Sequence, residues 1–403
     1  MLKLSDIEGK FGEIASAIRD GKGVVSLSGL TSNAAKAFIL ARLQPLVKRP
    51  FVVLTDSNQA ADTWLSDLQF FGEMVGHMPS IVELPSFEAE VYSGVSPHAE
   101  TLERRALALW QLTHGSPDFL ILPPRALIAR TVTPEQLAHN GMQLERDAEF
   151  APEKLVSILE SAGYVREDPI NNIGQFSIRG GIVDVWSPQS QLPSRIEFFG
   201  DTVDSIREFD PETQLSTDQI RSIDIAPMRE FMVGSQDFKD WSFFAGEHFT
   251  DPRFARSLKD RTNFAGESES FAGWEFLLPL TKPLEGTVFD YIGIDAAMIV
   301  DEPAIIEGSI SAFFAGVEDQ FASATNMDEI GLEPSRLFIP PGELSEKLER
   351  LGRIEIRSLG SHAASNDEEF SIALTDSSPM TVSARPPPFL FPAATVETEF
   401  DVI

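Results

Sequence analysis

Val24-Val25-Ser26-Leu27 followed by Gly29-Leu30-Thr31-Ser32-Asn33-Ala34-Ala35-Lys36 is the stretch on which the fold turns. An apolar run, a glycine and a helix-like stretch make the frame of a strand, a phosphate-binding loop and a helix. A working loop of this kind reads G-x-x-x-x-G-K-[ST]. Its glycines let backbone N–H groups approach phosphate, its lysine neutralises charge and its hydroxyl reaches Mg²⁺. Counted from Gly29, the second glycine falls on Ala34, the lysine on Ala35 and the hydroxyl on Lys36. The frame is kept while the nucleotide chemistry is gone. Lys36 stands one position late, so its side chain leaves the helix in another direction. Thr31 and Ser32 still offer hydroxyls at a helix N-terminus, which leaves weak anion binding open. A weak nucleotide hydrolase using Lys36 is therefore the secondary reading, and no cofactor is implied.

Outward from this stretch, short β-like runs alternate with helical periods. The spacing predicts strands at 23–27, 51–55 and 119–122, and helices at 33–43, 59–71 and 97–114. In the second helix Ala60, Ala61, Trp64, Leu65, Leu68 and Phe71 recur at threes and fours and line one face. Ser96 is positioned as N-cap of the third, with Pro97 at its first turn and Gly115 beyond its end. Strands separated by helices pair in parallel through crossovers, so residues 1–127 read as an α/β layer of P-loop type.

Residues 128–228 change character. A helix at 152–162 ends at Gly163, and short strands follow at 175–179, 182–186, 195–199 and 202–209. Gly180-Gly181 and Gly200-Asp201 between them are hairpin signals. This pattern is an antiparallel α+β domain inserted in the first one. Residues 229–403 form the remainder, with a buried parallel strand at 296–300, helices near 304–324 and 341–351, and an acidic, Pro-containing tail from Ser358. That tail is expected to be partly extended or poorly ordered.

Composition narrows the function. Asp and Glu number 62 against 32 Lys and Arg, a formal net charge of −30. That balance argues against a grip on a phosphate backbone, so little direct nucleic-acid binding is expected. There is no cysteine, which excludes disulfides, thiolate nucleophiles and Cys-ligated zinc. The six histidines share no metal-ligand spacing. No window approaches the ~20 apolar residues of a membrane span. Together these features suggest a cytoplasmic chain.

Two polar constellations remain. Asp301-Glu302, closing an apolar strand, mimics the acidic pair that holds Mg²⁺ and orients water in a motor. Without loop lysine and hydroxyl it reads instead as a cap on the next helix. In the inserted domain, Arg179 sits beside the Gly180-Gly181 turn, and Arg166 and Trp186 can join it on one face. Arg and Trp dominate protein–protein hot spots. The competing reading pairs Arg179 with Asp184 or Glu197 and makes Trp186 half-buried core.

Taken in order, the degenerate loop, Pro85-Ser86-Phe87-Glu88, Ser96-Pro97-His98, Pro123-Pro124-Arg125-Ala126-Leu127, the run from Gly163-Tyr164 to Trp186, Arg195-Ile196-Glu197-Phe198-Phe199-Gly200-Asp201 and Ile206 to Gln214 resemble a known family. They resemble the N-terminal UvrB-homology module of bacterial transcription-repair coupling factors, most densely over 23–230. The resemblance implies a degenerate RecA-like body without ATPase activity and an inserted domain that docks onto UvrA. It carries the partner-binding role to Arg166, Phe176, Arg179 and Trp186. The first arginine of the family's R-x-R-G turn is Ser177 here, which leaves the face one charge poorer. Only Glu83 to Ser96 spans the place of UvrB's DNA-clamping hairpin, with Phe87 and Tyr92 as its aromatics, and that is too short for one. An RNA-polymerase-binding domain and a translocase, which continue such proteins, do not fit in 403 residues. Whether the chain is an excised module, a truncated product or a free-standing relative stays open. So does an autoinhibitory role, in which this module masks its UvrA-binding face against other domains of a larger parent.

Overall fold

The computed structural model describes residues 4–20, 24–358 and 368–371. Its centre is a seven-stranded sheet, parallel throughout. The order is Glu368–Ser371, Val24–Ser28, Gly352–Arg357, Ala297–Asp301, Phe51–Leu54, Phe119–Leu122 and Ile81–Glu83. Phe51–Leu54 and Phe119–Leu122 are buried at every position. Continuous apolar runs of this kind suit parallel strands covered on both faces.

Successive side chains on each strand point to opposite layers. Val53, Ile121, Ile299 and Ile354 join one core, beneath helices Leu4–Asp20, Asn33–Val47 and Asn58–Met74. Val52, Leu120, Leu122, Met298 and Val300 join the other, against Ala99–His114 and Pro303–Asn326. The α/β reading with a parallel sheet therefore holds.

Among the elements that were not legible are helices Leu4–Asp20, Ser235–His248 and Ala255–Gly266, and strand Gly352–Arg357. Gly352–Arg357 alternates charge with Ile354 and Ile356, the pattern of a sheet edge, yet it lies between Val24–Ser28 and Ala297–Asp301. Glu355 is neutralised there by Arg353 at 2.8 Å and by Arg357, which lets a charged strand sit inside the sheet. The third helix starts at Ala99, and Ser96 does not cap it. The Ser96 hydroxyl donates to Glu275 Oε2 at 2.7 Å and accepts from Gly273 N at 3.0 Å, so it braces a neighbouring loop instead. Apart from Ser358 and Glu368–Ser371, the C-terminal tail lies outside the described residues. Among those residues no helix is long and apolar enough to cross a membrane.

The second body is a six-stranded sheet, ordered Ser216–Ile220, Thr202–Phe209, Ser194–Phe199, Ile182–Val185, Gln175–Arg179 and Val165–Arg166. It is antiparallel except for the last pair. Leu155, Leu159 and Ala162 from helix Pro152–Ala162 pack on Phe176, Val183, Val185, Ile196 and Ile206. This matches the expected antiparallel α+β unit.

A buried ionic node ties helix Ala99–His114 to the segment that follows the second body. Arg105, on helix Ala99–His114, is wholly buried and stacks on Phe87 with 4.2 Å from guanidinium carbon to ring centroid. Its Nε donates to Glu230 Oε1 and its Nη1 to Pro85 O at 2.7 Å. The other Glu230 oxygen accepts from the Thr131 hydroxyl. Removing one partner of such a pair leaves an uncompensated charge. Glu230→Ala should therefore lower unfolding free energy by ~3–5 kcal/mol in urea titrations. A loss under ~1 kcal/mol would show that water reaches Arg105 in the folded state.

Candidate functional site

The polar face of the second sheet is built by register. Ser177, Asp184, Arg195, Arg207 and Gln219 lie side by side across five strands. Asp184 is 1% exposed and is the electrostatic centre of the face. Arg195 grips it with a fork, Nε to Oδ1 at 2.7 Å and Nη2 to Oδ2 at 2.9 Å. The Arg195 guanidinium also stacks on Phe209 at 4.6 Å. Arg179 adds a third donor, Nη2 to Asp184 Oδ2, while its side chain stays 44% exposed. The carboxylate already has the Arg195 fork, so Arg179 is oriented by Asp184 rather than needed to neutralise it. Gly180 adopts a φ of +63°, which a residue without Cβ tolerates, and this holds the turn that presents Arg179.

The predicted partner-binding residues are dispersed differently than expected. Arg166 is exposed on the strand Val165–Arg166 and makes no ion pair or side-chain hydrogen bond among the described residues. Its backbone pairs with Phe176, so it occupies the opposite pleat phase from Arg179 and reaches solvent at the sheet edge. Trp186 is half-buried, and its indole N–H donates to Ser190 O at 3.2 Å. It lies four residues beyond Ile182, the residue facing Arg179, hence ~13 Å along the strand. Phe176 has no exposure at all: it faces helix Pro152–Ala162 and belongs to the core. Its place among docking residues is corrected by that burial. Phe199 was missed. It is 84% exposed, beside Phe198, whose N–H donates to Gly181 O at 2.8 Å. Its signal was Phe198-Phe199-Gly200-Asp201: of two adjacent aromatics on a strand, one must point outward.

The loop at 29–36 is closed by its own side chains. Gly29 has φ +89° and its N–H donates to Arg357 O at 3.1 Å. Ser32 is the N-cap of Asn33–Val47, and its hydroxyl accepts from Ala35 N at 3.2 Å. That amide would otherwise face an anion. Ala34 and Ala35 are buried in the core, and Thr31 is half-buried. One strand separates Val24–Ser28 from Ala297–Asp301, so loop and acidic pair emerge at the same carboxyl edge of the sheet. Lys36 Nζ reaches Asp301 Oδ1 at 2.7 Å and Glu302 Oε1 at 2.9 Å. Trp64 Nε1 donates to Asp301 Oδ2 at 3.2 Å. Ser358 donates to Glu302 through both its backbone N–H, at 2.9 Å, and its hydroxyl. Glu302 precedes helix Pro303–Asn326 but makes no cap hydrogen bond with its side chain. The capping role expected of the acidic pair is thus replaced by a buried ion cluster.

Comparison with known proteins agrees with this architecture. Residues 142–231 match the family described as the UvrB interaction domain. The chain is 28% identical over 355 residues to a transcription-repair-coupling factor of Myxococcus xanthus, covering 86% of this chain and 29% of that protein. It is 27% identical over 277 residues to the Haemophilus influenzae factor, 68% of this chain and 24% of that one. Against the Escherichia coli factor the identity is 25% over 338 residues, 82% and 27%. The chain thus spans less than a third of the length of these relatives. It is similar to the N-terminal UvrB-homology module of transcription-repair coupling factors, as the sequence motifs indicated.

One ammonium shared by two carboxylates sets the charge behaviour of the loop. Burial opposes the charge on Lys36, but Asp301 and Glu302 outweigh it and raise its pKa. Burial also works against the Glu302 carboxylate, yet Ser358 and Lys36 hold its pKa below the ordinary value. Asp301, deeper and with one cation to share, is pushed up by burial. A raised lysine pKa contributes stability that is complete below the ordinary lysine range and lost as pH climbs through the raised value. Lys36→Met should cost ~2–3 kcal/mol at neutral pH, less than for a fully buried pair because Glu302 keeps some water. Because protonation relieves stranded carboxylates, that penalty should shrink as pH falls through the raised Asp301 pKa. Urea titrations of both proteins at pH 7 and at mildly acidic pH check it; a pH-independent difference would mean lost packing alone.

Proposed function

We propose that this chain is a non-catalytic adaptor module in transcription-coupled nucleotide excision repair, which recruits UvrA through its inserted domain. The relatives are named for coupling transcription to repair, and the matched segment is a UvrB interaction domain. One observation carries the reading. Within that segment Arg179 is pre-oriented by Asp184 yet half-exposed, Arg166 is exposed and unpaired, and Phe199 stands in solvent.

These three groups supply what an interface centre needs. Arg forks make charge-assisted bonds to carboxylates or carbonyls of a partner, and an aromatic ring supplies apolar area. Holding Arg179 in place reduces the rotamer entropy lost on docking. The chain carries a formal net charge of −30, and exposed arginines on this domain suit an acidic partner. Trp186 extends the same face at its far end.

The nucleotide-hydrolase reading is disfavoured by positive geometry. Lys36 is engaged by both acids and the Ser32 hydroxyl by the Ala35 amide, so these groups are already committed within the protein. A masking role against other domains of a parent protein involves the same face, and docking to UvrA would then require its release.

Arg166→Ala should weaken UvrA binding by ~1–3 kcal/mol in titration calorimetry, with the thermal midpoint of the free chain unchanged. Phe199→Ala should act in the same direction. Wild-type affinity in both variants would move the interface off this sheet, away from both the Arg166 edge and the face that carries Arg179 and Phe199.

A further inference from the structure

Within the larger body lies a partly enclosed cavity of ≈ 250 Å³ that the docking role does not use. Six aromatic residues wall it: Phe87, Phe231, Trp274, Phe276, Phe313 and Phe338. Their rings are set edge to face, Phe87 on Phe276 at 6.0 Å, Phe231 on Trp274 at 5.8 Å and Phe313 on Phe338 at 4.9 Å. Apolar cavities of ~150 Å³ admit benzene, so this one has room for a bicyclic ring.

One cation at the wall is unusual. Arg229 lines the cavity with its guanidinium 5.7 Å from the Trp274 ring. It makes no ion pair and no hydrogen bond through its side chain among the described residues. Burial pulls its pKa below the ordinary arginine value, and the Glu275 carboxylate only partly offsets this. Glu275 itself is held by the Ser96 hydroxyl and is pushed toward its neutral form by burial. Glu230, the other buried acid at the wall, is engaged by Arg105 and Thr131. Glu90 at the rim is exposed. The Arg229 cation is the only one of these groups that is largely desolvated and lacks a direct partner.

We infer that this cavity binds a compact planar aromatic anion, its ring between the aromatic walls and its carboxylate on the Arg229 guanidinium. The ring would displace disordered water from an apolar space, and the carboxylate would supply the planar acceptor that a guanidinium fork matches. Nothing in the packing requires the space to stay open at Gly316, which lines it from helix Pro303–Asn326. A Cβ built there meets no atom within 4 Å.

The test is titration calorimetry of the full chain with 2-naphthoate, 2-naphthalenemethanol and 2-naphthylmethylammonium. Naphthoate should bind saturably and the alcohol ~10-fold more weakly, the difference one charge-assisted bond makes. Arg229→Met should remove that preference while keeping residual binding of both. Gly316→Leu, which fills the cavity without disturbing Arg229, should abolish binding of all three and serves if Arg229→Met fails to fold. Absence of saturable naphthoate binding overturns the proposal. So does a preference for the ammonium, which would make Glu275 and Glu90 the determinants, or an unchanged preference in Arg229→Met.

Discussion

One ammonium between two carboxylates organises the larger body. Lys36 belongs to the first turn of Asn33–Val47, while Asp301 and Glu302 end a strand two places away in the sheet. Their union ties that helix to the sheet, and Trp64 and Ser358 tie in a second helix and a third strand. The cluster occupies the edge at which parallel α/β sheets ordinarily hold ligands. At that edge the protein places an internal cation and its own counter-ions.

A similar arrangement recurs in the smaller body with the charges inverted. There a single carboxylate, Asp184, organises two arginines. Arg195 is the structural partner, stacked on Phe209 and drawn into the face. Arg179 shares the same anchor but keeps much of its guanidinium in solvent. A structural and an interactive role are thus distributed between neighbouring side chains on one anion. The opposition between pairing with Asp184 and facing a partner therefore dissolves, because the pairing sets the direction in which the free donors point.

Much of this was legible where chemistry is local. Continuous apolar runs located the strands at 51–55 and 119–122, and a spacing of threes and fours located the helix at 59–71, because burial leaves its mark directly in sequence. The hairpin at Gly180-Gly181 was legible because few residues permit its backbone. What escaped depended on distant partners. Gly352–Arg357 looked exposed because its charges are cancelled by Glu307 and by neighbours within the strand. Lys36 read as a loop lysine one position late because the acids that engage it lie 265 and 266 residues away. Phe176 and Phe199 are both strand phenylalanines, and only the register of the sheet makes one core and the other surface.

The Lys36 cluster has a consequence for descent. To match the full phosphate-loop motif the chain needs glycine at 34, lysine at 35 and a hydroxyl at 36 together. Lysine at position 35 alone would drive a charged chain into a site with no room, since Ala35 is fully enclosed. A hydroxyl at position 36 alone would strand two acids without their cation. Each single step toward that motif is uphill for folding, so the internal ion pair acts as a ratchet that holds the loop as it stands.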